Sequence, residues 1–329
     1  MGTDGLEIID KQDSKVVYFE KRRIPLHQSK PLFWAVASGK GGVGRSFFTS
    51  SLGITLSRMG YRTLMVDCDT NGGALHSWLG TYQKDKCLSD YFSGIDDIEN
   101  YYTSLGFEKL CLLAGDTCLW NCEESGVRNH TDLLTDLKVQ PFDIVLFDLS
   151  SGHTETNTEI LKSCDDIFLV TTPEPSSIEK NYRWIENYLL KIGLQEGDRK
   201  LLCDFHKMRK QKEASAHTLF EVRNFLEGLQ KKKKQEGESS PLFGPIKLVI
   251  NQTRNFEDER LGESIKSICN KFYFTEIQSL GSLQYDNAVW QSGRQRAPVI
   301  THQPFNPLVG QIQSLVKHLV DRTTQRAVV

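Results

Sequence analysis

Eight consecutive residues, Gly39-Lys40-Gly41-Gly42-Val43-Gly44-Arg45-Ser46, combine four glycines, two cations and a hydroxyl in the spacing of a phosphate-holding loop. Glycines let backbone N–H groups turn inward around phosphate oxygens, and a helix starting near Phe47 adds partial positive charge at its N-terminus. Gly39, Lys40, Gly41, Gly42, Val43, Gly44, Arg45, Ser46 and Phe47 are therefore expected to face a nucleotide, with the Ser46 hydroxyl placed for Mg²⁺. Three carboxylates, Asp67, Asp69 and Asp148, close apolar runs elsewhere in the chain. A carboxylate at the end of a buried strand is expensive unless it meets a cation, so Asp148 is expected to hold the Mg²⁺ shell through water. Asp67 and Asp69 are read as pointing to opposite sides of one strand unless the strand has already ended, which leaves one of them facing the phosphate. Asn251 ends another apolar run and offers an amide donor and acceptor, the pair of functions a purine edge requires.

These groups need elements to position them. Apolar, β-prone runs recur at Leu32–Ala37, Thr63–Val66, Leu110–Leu113, Ile144–Phe147, Ile167–Val170 and Ile246–Ile250, with helical stretches between them. That alternation predicts an α/β fold, a doubly wound and mostly parallel sheet wrapped by helices. The phosphate loop then sits between a strand ending at Ser38 and a helix from Phe47-Phe48 through Leu56, with Gly60 as its stop. Asn306–Thr324, with Leu308, Ile312, Leu315, Val316 and Leu319, has the spacing of a core-covering helix.

Length and composition narrow the class. A chain of 329 residues allows two domains or one large α/β unit. Forty Lys+Arg against forty-two Asp+Glu give a formal charge of −2, which disfavours a globally basic nucleic-acid binder. No run reaches the roughly 18 apolar residues that a spanning helix needs, Met1–Lys21 lacks a signal-peptide core, and Leu6 replaces the Ser or Thr of a myristoylation signal. The expectation is a cytoplasmic protein, able to sit peripherally at a membrane or cell pole. Eight cysteines are scattered without metal-ligand spacing, and are read as reduced thiols; Cys118 and Cys122 form the closest pair.

Lys40 marks a deviant form of the phosphate loop, and from Pro31 to about Val320 the chain resembles the MinD/ParA/FlhG family of P-loop ATPases. The likeness continues in Val66-Asp67-Cys68-Asp69 with Leu79-Gly80, and in Phe142-Asp143-Ile144-Val145-Leu146-Phe147-Asp148 followed by Ser151-Gly152. It extends to Thr172-Pro173-Glu174-Pro175-Ser176-Ser177, to Val249-Ile250-Asn251-Gln252, and to Tyr285-Asp286-Asn287-Ala288-Val289 with Pro298. The Leu79-Gly80 ending and the Pro-Glu-Pro turn are closer to the FlhG- and MinD-like branch than to plasmid ParA proteins. The resemblance implies a SIMIBI-type, MinD-like P-loop NTPase fold over residues 31–324, preceded by an arm (1–30) and followed by a short tail (325–329). It implies ATP and Mg²⁺ as cofactors, ATP hydrolysis, and a nucleotide-sandwich homodimer. Lys40, with no obvious role in its own subunit, would cross to the partner's nucleotide. Asp69 would orient or activate the attacking water, Asp67 would support the metal side, Asn251 would read adenine, and Asp286 lies in the loop closing over the base. Such proteins act as switches that position or regulate a flagellum, the division apparatus or a polarity machinery.

Three departures stand out. Arg45 occupies the position of the family's second lysine, and a planar, bidentate guanidinium is not equivalent to a compact ammonium. ATP turnover is therefore expected to be slow, and the competing readings are a nucleotide-binding scaffold without useful hydrolysis and a ParA-like DNA-partition ATPase. A basic helical insertion spans about 198–240, with eleven Lys+Arg against five Asp+Glu between Asp198 and Lys234. Leu219, Val222, Phe225, Leu226 and Leu229 give it an amphipathic period, expected to pack on its own surface. Its Lys207–Lys212 and Lys231–Lys234 runs are candidates for membrane or DNA contact, and its helix is a candidate for docking a protein partner. Finally, Asp10-Lys11-Gln12-Asp13 does not match the activating N-terminal motif of flagellar relatives, and the residues after Asp321 bury too little for a membrane anchor.

Overall fold

The computed structural model describes residues 30–69, 73, 75–81, 86–115, 127–193, 221–228, 231, 246–273 and 275–327. The expected arm, most of the basic insertion including Lys207–Lys212, and Cys118 and Cys122 lie outside these residues. Eight strands form one sheet: β1 (Leu32–Ala37), β2 (Thr63–Cys68), β3 (Thr103–Ser104), β4 (Leu110–Leu113), β5 (Ile144–Leu149), β6 (Asp166–Thr171), β7 (Ile246–Thr253) and β8 (Ile277–Gln284). Their spatial order is β3-β4-β2-β5-β1-β6-β7-β8, and all pairings are parallel except the short β3 with β4. The central strands read as unbroken apolar runs because helices cover both faces and every residue from Leu32 to Ala37 is buried.

The helices are α1 (Arg45–Arg58), α2 (Leu75–Trp78), α3 (Leu88–Ser93), α4 (His130–Lys138), α5 (Glu155–Lys162), α6 (Pro175–Gly193), α7 (221–228), α8 (Phe256–Tyr273), α9 (Asn287–Gln295), α10 (Val299–His302) and α11 (Pro307–Ala327). Two apolar clusters flank the sheet. One gathers Phe33, Leu64, Phe147, Leu169 and Trp184, and the other gathers Trp34, Met65, Leu146, Phe168, Leu308 and Leu319. Helix α1 carries few large apolar residues yet is buried almost throughout, because its hydroxyls bond to its own backbone. Ser50, Thr55 and Ser57 donate to the carbonyls of Phe47, Ser51 and Ile54 at 2.7–3.0 Å.

Two expectations change here, and one strand has no counterpart among them. The described part of the insertion, α7, does not pack on a surface of its own: Val222 and Leu226 are fully buried in the main cluster, with Phe225 against it. Helix α11 runs on to Ala327, past the expected end at Thr324. Strand β8, Ile-Gln-Ser-Leu-Gly-Ser-Leu-Gln, carries no apolar run because it forms the sheet edge, where half of each pleat meets solvent.

Period-two alternation decides what reaches the carboxyl ends of the strands. Val36, Met65, Leu146 and Val249 all face the α1 side, so the next residues in the same rows, Ser38, Asp67, Asp148 and Asn251, emerge on that side too. Asp67 and Asp148 are direct neighbours across the β2–β5 pairing. In a doubly wound sheet this crevice is where ligands bind.

Candidate functional site

The loop between β1 and α1 is shaped by glycines with distinct duties. Gly42 and Gly44 adopt left-handed backbone angles, φ +79° and +89°, and Gly44 caps the N-terminus of α1. Gly39 lies so close to α6 that a Cβ would collide with the Lys180 carbonyl, and its N–H donates to Asn181 Oδ1 at 2.7 Å. Gly41 and Gly42 face solvent, with no protein atom where Gly42 would carry a side chain. The result is an open turn of backbone amides over a helix N-terminus, the arrangement that receives phosphate oxygens. Phe47 does not point into it: its ring is buried edge-on against Trp78, with centroids 5.8 Å apart, so only its backbone can serve a ligand.

Beneath this turn the charged groups converge. The Arg45 side chain folds inward, donating from Nη1 to Ser38 Oγ at 3.0 Å and from Nη2 to Asp69 Oδ2 at 2.8 Å, with Nε 3.5 Å from Asp148 Oδ1. Thr49 Oγ1 donates to the same Asp148 oxygen at 2.9 Å, and the Ser46 hydroxyl lies near enough to draw this carboxyl's pKa down. Asp148 Oδ2 is buried with no hydrogen-bond partner. Burial pushes the Asp148 carboxyl up, against the pull of Arg45 and the two hydroxyls. Asp67 is pushed up to about 7, chiefly by burial and then by the neighbouring Asp148 charge, while the N–H groups of Asp69 and Leu75 oppose the shift. Carboxylates in this condition gain from an incoming cation. The orphaned Asp148 oxygen beside the Ser46 hydroxyl fits Mg²⁺, and the open amide turn fits the phosphates it accompanies. Among the described residues no group of three or more His, Cys, Asp or Glu side chains is placed to hold a metal ion.

Asp67 and Asp69 do not diverge, because the strand has already ended before Asp69. Residues two apart share a face of a strand, and β2 ends at Cys68, so Asp69 turns back, donates its N–H to Asp67 Oδ1 at 3.2 Å, and meets Arg45. Lys40 differs from expectation, since it has partners in its own subunit. Its Nζ donates to Glu174 Oε2 at 2.6 Å and Ser176 Oγ at 3.0 Å, in the turn leading into α6. Asn251 Nδ2 donates to the Val43 carbonyl at 2.8 Å, fastening the strand end to the loop. Asp286 caps α9 through Ala288 N at 2.7 Å and accepts from Asn306 Nδ2 at 3.0 Å, so both of its oxygens are engaged. Tyr285 beside it is half exposed under the Arg254 guanidinium, 4.8 Å from its ring centroid.

Several contributors carry no motif-level signal. Asn181 and Trp184 sit on α6, and Trp184 Nε1 donates to the Gly152 carbonyl at 3.1 Å while Gly152 N–H donates to Ser38 O at 3.1 Å. The loop after β5 is thereby tied to both the phosphate loop and α6. Thr49 was accessible from sequence, standing one helical turn after Arg45 on the same face of α1. The five described cysteines, Cys68, Cys87, Cys111, Cys164 and Cys269, are free thiols.

Known proteins resemble this chain in sequence and in fold. An iron-sulfur cluster carrier protein of Bacillus subtilis (strain 168) is 25% identical over 183 residues, covering 53% of this chain and 51% of the relative. The flagellum site-determining protein YlxH of Helicobacter pylori is 26% identical over 193 residues, covering 58% and 63%. The chain spans about half the length of most of the curated relatives it matches. Among solved structures, the septum site-determining protein MinD of Pyrococcus horikoshii, complexed with Mg-ADP, superposes with a TM-score of 0.61 at 18% identity, covering 88% of this chain and 96% of that one. MinD in the MinC:MinD cell division complex of Aquifex aeolicus gives 0.57 at 17% identity, covering 88% and 96%. These superpositions establish the fold, a mostly parallel P-loop sheet wrapped by helices. Residues 34–299 match the CobQ/CobB/MinD/ParA nucleotide binding domain, and the chain belongs to that family.

Proposed function

We propose that this chain binds ATP with Mg²⁺, hydrolyses it slowly, and uses the bound state to join two copies into a dimer that positions or regulates a cellular structure in the cytoplasm. The observation that carries the reading is the convergence of the amide turn, Ser46 and the Asp67–Asp69–Asp148 group at the carboxyl ends of β1, β2 and β5. Similarity to a flagellum site-determining protein and to septum site-determining MinD supports the positioning role. Bound Mg²⁺ supplies charge neutralisation at the phosphates, and Ser46 and Asp148 are the side chains to hold it, with Asp67 behind them.

The protein's own groups divide the remaining work. Backbone amides from Gly41 to Phe47 bind phosphate oxygens, Asn251 and the Tyr285–Val289 turn border the base, and Asp286 shapes that turn. Asp69 orients the attacking water. Lys40 exchanges Glu174 and Ser176 for the nucleotide of the second copy, neutralising charge there as an arginine finger does. A protein partner reads the dimer, and the basic insertion, Lys207–Lys212 and Lys231–Lys234, adds contact with membrane or DNA. No helix among the described residues is long and apolar enough to cross a membrane.

One observation favours a second reading. The carboxylate assigned to the water is held by Arg45 at 2.8 Å, which favours a nucleotide-holding scaffold with little hydrolysis. Phosphate release from ATP by the purified chain, alone and with anionic vesicles or DNA, separates the two. Measurable turnover supports the switch, and tight ATP binding with no release in any condition supports the scaffold.

A further inference from the structure

The guanidinium of Arg45 does not extend over the phosphate turn. It lies almost wholly buried beneath it and serves Ser38, Asp69 and Asp148 together. Its planar fork makes this possible, since Nη1 and Nη2 bond separate oxygens while Nε, without a hydrogen bond of its own, holds positive charge 3.5 Å from Asp148; an ammonium at the same position is a single point charge on a shorter stem. If the guanidinium turned outward to a phosphate with nothing replacing it, Asp148 would be left fully buried beside Asp67 without a counter-charge. That is among the most unfavourable arrangements in a protein interior. Meanwhile Asp148 Oδ2 has no partner, and the Ser46 hydroxyl already stands at the same carboxylate. Both are oxygen donors of the kind that hard divalent cations take.

We infer that Arg45 is a tethered counter-ion, which neutralises Asp69 and Asp148 while no nucleotide is bound and is released to the phosphates only when a divalent cation takes its place at Asp148. This rests on the nucleotide reading above and adds a rule to it: nucleotide and cation load together. In the nucleotide-free protein the guanidinium competes with any free divalent cation. Without such a cation, ATP can recruit Arg45 only by leaving the buried Asp148 without a counter-charge.

Two measurements test the inference. The first uses Mn²⁺ alone, followed by electron paramagnetic resonance on nucleotide-free protein, for wild type and Arg45→Gln. The glutamine can still bond Ser38 but carries no charge, so the variant should bind Mn²⁺ roughly 10- to 100-fold more tightly, the worth of one charge-assisted contact. Equal Mn²⁺ binding by the two folded proteins overturns the inference. The second, which does not depend on that variant folding, is calorimetric titration of ATP into wild type and Arg45→Lys, with Mg²⁺ and with EDTA. Wild type should lose roughly 10- to 100-fold in affinity in EDTA, and Arg45→Lys should lose less. Equal affinity of the wild type in both buffers overturns the inference. Absence of ATP binding in either buffer contradicts the nucleotide reading itself, and the Mn²⁺ comparison then decides the counter-ion role alone.

Discussion

Replacing Asp69 by alanine should move binding and turnover in opposite directions. The Asp69 carboxylate is largely sheltered, at 21% side-chain exposure, and pairs with a guanidinium at 9% exposure across 2.8 Å. A charge-assisted contact of that kind is worth about 1.5–3 kcal/mol. Asp69→Ala returns one arm of Arg45 to the site and removes a negative charge from the neighbourhood of the phosphates. Each 1.4 kcal/mol is about tenfold, so affinity for Mg·ATP should rise by roughly 10-fold or more. Turnover should fall roughly 10²-fold or more, because a group that prepares water acts in the transition state and not in the ground state. Calorimetry gives the first quantity, and a continuous phosphate-release assay gives the second. Tighter binding with unchanged turnover would place the water elsewhere. Unchanged binding with unchanged turnover would mean that Asp69 does not face the nucleotide at all.

Three other perturbations give separate readouts. Lys40→Ala should leave Mg·ATP binding within a few-fold of wild type yet abolish ATP-dependent dimers in sedimentation velocity; equal dimerisation of variant and parent would remove the sandwich. Lys247 is buried at the amino ends of β6 and β7, 2.6 Å from Asp166 and over the Trp34 and Phe168 rings, far along the strands from the phosphate turn. Lys247→Met should cost about 3–5 kcal/mol in urea unfolding by removing the cation beside buried Asp166, and the double variant Lys247→Met/Asp166→Leu should recover most of it. His153 is packed between Thr158, Trp184 and Tyr188, and burial, with a smaller push from Lys191, lowers its pKa to about 4. The folded chain therefore favours neutral His153, a contribution complete above about 6.5 and lost progressively as pH falls towards 4. Stability should drop by about 3 kcal/mol across that window, and His153→Phe should flatten the slope.

The central strands were legible because a parallel sheet covered on both faces leaves an unbroken apolar trace. Leu32–Ala37 and Leu110–Leu113 end where the sequence places them, and β2, β5, β6 and β7 differ by a few residues at their ends. Strand β8 left no such trace, since Gln278, Ser279 and Ser282 suit an edge that meets water. The amphipathic period of α7 was visible, but period alone does not say which surface receives the apolar stripe, and that surface is the main core. At the site, the loop and its carboxylates could be read from residue types. The inward turn of Arg45 could not, because its partners Ser38, Asp69 and Asp148 come from three strand ends that meet only in the folded sheet. The pairing of Lys40 with Glu174 and Ser176 was hidden for the same reason, the two segments being more than 130 residues apart.

The central claim is that ATP bound at the β1–α1 loop controls association of two chains. Light scattering on the purified protein, without nucleotide and then with saturating Mg·ATP, tests it most directly. The account predicts a mass near the 37.4 kDa of one chain in the first case and a doubling in the second, persistent in Asp69→Ala, where hydrolysis cannot undo it. A single-chain mass at saturating Mg·ATP in both proteins, or a dimer of the same mass with no nucleotide present, would contradict it.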